Sequence, residues 1–182
     1  MRYQPRMQGS VMPGSAAYPS FAHTDVATTH SRILGFLGRA LSLELSAGQH
    51  YLAQASLAKF RHEIPYAQAF ITLANEEFQH ANQITDRMVA QGALPAGSVL
   101  APSEASHNIV EALNSCEVRE IALIQLYDEA AQFCHNMGAM EDFGLFSQLL
   151  AEEQAQLNRV RGWLAEYFEQ FGQSRQPTRG FV

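Results

Sequence analysis

Residues 73–83 read LANEEFQHANQ. At 3.6 residues per turn, Phe70, Leu73, Glu77, His80, Ile84 and Met88 share one face of a helix. Most of that face is apolar, so it is the face the helix buries. Glu77 and His80 stand inside it, three residues apart and pointing the same way. A single glutamate and histidine at this spacing ordinarily face water. Their placement in an inward stripe asks what neutralises them, and the rest of the chain supplies the answer.

The chain has 182 residues, 47% of them apolar, enough for one domain with a sizeable core. Only 16% are charged, which predicts that much of the surface meets other protein. A net charge of −6 argues against non-specific binding to nucleic acid or to an anionic membrane. No apolar run approaches the ~18 residues of a membrane span, and MRYQPRMQGSVMPGSAAYPS lacks the apolar block of a secretion signal. Cys116 and Cys134 fall on one predicted helix, roughly 27 Å apart, and cannot pair with each other. A reducing cytoplasm is the expected compartment.

Four long segments with a period near 3.6 organise the chain. The first runs from about Ser31 to Arg61, with Leu34, Leu37, Leu41, Glu44, Gly48, Tyr51 and Ala55 on its inner face. The second opens near Pro65, which suits a first helical turn, and closes at Gly92, a C-terminal cap. The third runs from about Asn108 to Asn136, through Leu113, Cys116, Glu120, Ile124, Tyr127 and Ala131. The fourth follows the turn NMGAMED and ends near Phe168, through Phe146, Leu149, Glu153, Gln156, Val160 and Leu164. Strand signals are absent. Short links predict two antiparallel hairpins, and ALPAGSVLAPSEAS is long enough to cross the length of a bundle. The expected fold is an all-α four-helix bundle with one long crossover between helices 2 and 3. Residues 29–170 form the bundle, residues 1–28 a flexible N-terminal arm that could dock a protein partner, and residues 171–182 a tail.

An offset of 76 residues maps Glu44 onto Glu120, Tyr51 onto Tyr127, Glu77 onto Glu153 and His80 onto Gln156. Phe70 and Phe146, Leu73 and Leu149, and Glu76 and Glu152 obey the same offset. Each half therefore reads E-x6-Y on one helix and E-x2-H or E-x2-Q on the next. Four glutamates converge on the bundle axis with no lysine or arginine in the stripes to pair them. Unpaired buried carboxylates each cost several kcal/mol to desolvate. Two divalent cations would cancel four such charges, and carboxylate with imidazole suits iron, manganese or zinc.

These residues resemble the ferritin-like di-iron carboxylate proteins, and bacterioferritin in particular. The family spacing of 33, 43 and 33 residues between successive ligand glutamates is reproduced by Glu44, Glu77, Glu120 and Glu153. The resemblance implies that Glu44 and His80 are terminal ligands of one iron, that Glu120 is the terminal ligand of the other, and that Glu77 and Glu153 bridge. Tyr51 and Tyr127 would be hydrogen-bond donors or one-electron donors beside the metals. Two departures matter. Gln156 replaces the second histidine, and a carboxamide oxygen is a poorer ligand for ferrous iron, so a weakened second site is expected. The haem-binding methionine of bacterioferritin follows the second-helix glutamate, and Phe78 occupies that position, so haem is not expected.

The resemblance implies an iron-binding ferroxidase that oxidises Fe(II) with O2 or peroxide, assembled as a homodimer or higher oligomer. A second reading is a di-iron oxidase with an organic substrate, for which Ala47 and Gly48 could open a pocket. A third is a ferritin-like scaffold with a degenerate metal site that docks onto a larger assembly. Glu76 and Glu152 read as solvated neighbours of the site, and Glu117 as a substitute ligand of low merit. His23, His30, His50, His62, His107 and His135 lack partner spacing and read as surface residues.

Overall fold

The computed structural model describes residues 21–172, with side chains from residue 26 to residue 171. Four helices follow one another: α1 (Phe21–Phe60), α2 (Ile64–Ala90), α3 (Ile109–Asn136) and α4 (Met140–Gly172). α1 packs along α2 and α3 along α4, and α1 also meets α3. The long crossover joins α2 to α3, so the fold is the expected all-α bundle.

Local chemistry sets the helix ends. Gly92 takes a left-handed φ of +76°, letting Ala93 N–H reach back to the Met88 carbonyl at 3.0 Å. Gly138, at φ +71°, does the same for Ala139 and Cys134 at 2.9 Å. Such endings satisfy carbonyls the last turn leaves free. α1 ends in the same way at His62, φ +61°, where a β-carbon makes the conformation costlier by about 1–2 kcal/mol. Pro65 lies in the first turn of α2. Asn108 caps α3 by accepting from Glu111 N–H at 2.9 Å, while the Glu111 carboxylate accepts from His107 N–H at 2.9 Å.

The crossover has no regular structure, so its backbone groups need other partners. Ser46 Oγ accepts from Ala101 N–H at 3.0 Å, Gln54 donates to the Glu104 carbonyl at 2.7 Å, and Arg61 donates to the Ser106 carbonyl at 2.9 Å. These bonds tie it along α1.

The core follows the internal repeat. Leu37 and Leu113, Phe70 and Phe146, and Leu73 and Leu149 are pairs 76 residues apart, and all six are fully buried. Each such side chain contributes about 1.5–3 kcal/mol relative to exposure. Cys116 and Cys134 are buried and free, consistent with their separation on α3.

α1 begins at Phe21, ten residues before the start that periodicity indicates. Residues 21–28, expected in the arm, therefore belong to α1. Residues 30–32 are exposed, and among the described side chains Ile33 is the first buried one, so no inward stripe marks residues 26–32. No proline follows Pro19 to stop it either. The rest of the arm and all but the first two residues of the tail lie outside the described residues.

Candidate metal centre

Glu44 on α1, Glu77 and His80 on α2, and Glu153 on α4 each bring one ligand atom into a cluster no wider than 4.8 Å. All four are buried. His80 Nδ1 faces inward, 2.7 Å from Glu153 Oε1, 3.6 Å from Glu44 Oε1 and 3.8 Å from Glu77 Oε2. Its other nitrogen, Nε2, lies 3.0 Å from a Glu152 carboxylate oxygen. A carboxylate on that side keeps a proton on Nε2, so a cation that displaces the Nδ1 proton would find that nitrogen's lone pair facing it. Glu152 is thus more than a solvated neighbour, which the sequence reading missed because it tests only for residues on the inner stripe.

Glu120 on α3 stands outside this group of four but beside Glu153, and it is fully buried. Tyr51 donates to Glu120 Oε1 at 2.5 Å, and Tyr127 donates to Glu44 Oε1. The two bonds cross between α1 and α3 in opposite senses, as the repeat requires. Gln156, one turn beyond Glu153, is 2% exposed, and neither its Oε1 nor its Nε2 has a hydrogen-bond partner.

Burial pushes the Glu77 carboxyl well above its ordinary range, and the nearby Glu44 and Glu153 charges add to it. Burial and then the Glu153 charge push Glu120 up to about 9. Burial raises Glu153 as well. Burial alone would lower His80, but the Glu153, Glu44 and Glu77 carboxylates outweigh it and hold the imidazole far above its ordinary range. Burial likewise raises both phenols, with Glu120 next for Tyr51 and Glu44 next for Tyr127.

These shifts describe a cluster short of positive charge, and the orphaned atoms say the same. Glu44 Oε2, both oxygens of Glu77 and Glu120 Oε2 are buried without a hydrogen-bond partner, while His80 Nδ1 and Glu153 Oε1 have only each other, at 2.7 Å. No lysine or arginine is among the fully buried described residues. A polar interior normally leaves few such atoms. Hard oxygen donors with one imidazole fit a first-row divalent cation.

A cleft of about 410 Å³ between α2 and α4 reaches this cluster, with His80 and Gln156 among its walls beside Glu76, Glu152 and Arg159. Arg159 forks onto the Glu76 carboxylate with two hydrogen bonds. Glu117 pairs with Arg161 at 2.7 Å and is not part of the cluster.

Two expectations are corrected. His50, read as a surface residue, is fully buried, with Nε2 2.8 Å from Ser115 Oγ. Nothing in its spacing signals this, because its partner lies on α3. Gly48 opens no pocket, because a β-carbon there would meet the Phe78 ring at 2.9 Å. Ala47, its neighbour, does line a cavity, on the α3 side.

A model of the ferritin-like domain matches residues 35–167, which include every residue of the cluster. The bacterioferritin of Rhodobacter capsulatus, solved with a metal-free dinuclear site and a haem iron, superposes with a TM-score of 0.75 at 22% identity. The match covers 83% of this chain and 98% of that one. No curated protein matches the chain.

Proposed function

The chain belongs to the ferritin-like domain family, and on that premise we propose that it binds Fe(II) as a substrate and oxidises it. The observation that carries this reading is the set of orphaned carboxylate oxygens and the His80 Nδ1 inside one bundle. Glu44 and His80 hold one iron, Glu120 and Gln156 the other, and Glu77 and Glu153 are shared. Two Fe(II) give up one electron each. Hydrogen peroxide accepts both electrons with two protons and becomes two waters, or O2 accepts them with two protons and becomes peroxide. The Fe(III) formed passes to storage as mineral or to a partner.

In this reading Tyr51 and Tyr127 hold Glu120 and Glu44 in place, and either phenol stands close enough to supply one electron. Glu152 orients His80. Gln156 makes the second position weaker, so the two irons bind unequally. Assembly into a homo-oligomer belongs to the same reading. Leu52, Ile71 and Phe78 leave apolar surface exposed on α1 and α2, where a second copy would cover it. A cytoplasmic setting agrees with the free cysteines and with the absence, among the described residues, of any helix long and apolar enough to cross a membrane.

Anaerobic titration with Fe(II), followed by peroxide or air, tests the proposal. One tightly and one weakly held iron per chain, oxidised within seconds, is the expected result, and absence of iron uptake refutes it. Gln156 also favours a second reading, a ferritin-like scaffold whose metal site has lost efficient redox chemistry, and the same titration would then return no oxidation.

A further inference from the structure

A separate cavity of about 360 Å³ lies between α1, α3 and the crossover. Its walls are largely apolar, with Leu43, Ala47, Pro102, Val118, Ala122 and Leu123 among them. Ala47 is one turn from Glu44 and Leu123 one turn from Glu120, so the inner wall backs onto the layer where Tyr127 and Tyr51 bond those carboxylates.

The polar groups of the cavity sort into spent and unspent. Ser46 Oγ donates to the Ser42 carbonyl at 2.6 Å and accepts from Ala101. Ser115 Oγ lies 2.8 Å from the Ala112 carbonyl and 2.8 Å from His50 Nε2, so its hydrogen-bonding partners already lie within the fold. Arg119 differs. Its guanidinium makes one long bond, 3.4 Å to the Pro102 carbonyl, and no carboxylate among the described residues lies within ion-pair distance. An arginine presents five donors in a planar fork, and most of these are unused.

We propose that this cavity binds a short- to medium-chain aliphatic carboxylate, its chain against Ala47, Ala122 and Leu123 and its head group on Arg119. The volume sits at the lower end of the ~300–1,000 Å³ usual for small-molecule sites, which sets the size class. The unspent guanidinium sets the charge. Glu104 lines the same cavity with an exposed carboxylate that makes no ion pair among the described residues. Its negative charge would oppose a bound carboxylate.

The probe is sodium octanoate, kept below self-association, titrated calorimetrically into the full-length protein in EDTA. Working without metal keeps the outcome independent of the iron reading. Saturable binding of one octanoate per chain is expected, with 1-octanol at least about tenfold weaker, the usual size of a lost charge-assisted hydrogen bond. Arg119→Gln should weaken octanoate by about tenfold or more and leave octanol unchanged, whereas Arg119→Lys, which keeps the charge but not the fork, should fall between the two. Ala122→Phe, at an exposed wall position, should abolish both without lowering the melting temperature, and Glu104→Gln should tighten octanoate. Absence of saturable binding, octanol binding as tightly as octanoate, or unchanged affinity in Arg119→Gln would each overturn the proposal.

Discussion

Replacing Glu77 with glutamine should stabilise the metal-free protein and remove its response to metal. Glu77 is fully buried, and neither carboxylate oxygen has a hydrogen-bond partner. Burial holds its pKa well above the ordinary 4.5. The folded state therefore binds a proton that the unfolded chain releases, and stability falls as pH rises above the unfolded value. A carboxyl still protonated at pH 7 costs about 1.4 kcal/mol per pH unit over that span, a ceiling of about 3 kcal/mol. Because the neighbouring carboxylates share protons with Glu77, the gain from Glu77→Gln should be about 1–3 kcal/mol, roughly 3–10 °C in melting temperature for a chain of this length.

The assay is thermal unfolding in EDTA at several pH values, repeated with saturating Mn(II) as a redox-silent stand-in for Fe(II). In EDTA the variant should melt above the wild type at pH 7 and level with it near pH 4.5. Saturating metal at a hundredfold its Kd should raise the wild type by about 2.7 kcal/mol and the variant by far less, so the variant's lead closes or inverts. A variant that loses more than about 1 kcal/mol in EDTA at pH 7 would refute the reasoning, since Glu77 would then be structurally paired. Equal stabilisation of both proteins by metal would refute the ligand assignment.

Tyr127→Phe strips Glu44 of its one hydrogen bond and should cost about 1–3 kcal/mol without metal, read by chemical denaturation. It should also slow Fe(II) oxidation in stopped-flow absorbance without lowering the iron stoichiometry. Burial, and then the Arg119 charge, lower the His50 imidazole to about 4. The unfolded chain therefore takes up a proton that the fold excludes, and stability is lost as pH falls from about 6.5 toward 4. His50→Gln should remove about 2–3 kcal/mol of that loss, measured as the difference in unfolding free energy between pH 7 and pH 4.5. Gln156→His alone should tighten the second iron only modestly, whereas Gln156→His with Arg159→Gln should bring it within about tenfold of the first, as equilibrium Fe(II) titration would show.

The bundle and most of its site were legible because both depend on regularities of one chain. Period 3.6 places Glu44, Glu77, Glu120 and Glu153 on inward faces, and one offset ties them into two halves. What stayed hidden depends on contacts between helices. His50 is buried because Ser115 on α3 receives it, and Glu152 touches His80 although it sits one position off the inner face. Residues 26–32 carried no signal because they are largely exposed, and an exposed stretch of helix needs no apolar stripe. Gly48 looked like an opening by size alone, and only the position of the Phe78 ring shows that the space is taken.

The same comparison of halves explains why the second position differs from the first by more than one residue. In the first, His80 turns Nε2 toward Glu152 of α4. The repeat carries His80 onto Gln156 and Glu152 onto Glu76, so an imidazole at 156 would look for Glu76 of α2. Glu76 is already held by both arms of the Arg159 guanidinium. The counterpart of Arg159 in the first half is Gln83, which is uncharged and leaves one Glu152 oxygen to His80 while the other accepts from Gln148. A charged fork on a carboxylate is a stronger claim than a neutral imidazole can displace. Gln156 and Arg159 are therefore complementary within this chain. The arginine neutralises the carboxylate that the missing ring would have used, and the carboxamide of Gln156 stays buried beside the cluster with both its polar atoms unspent.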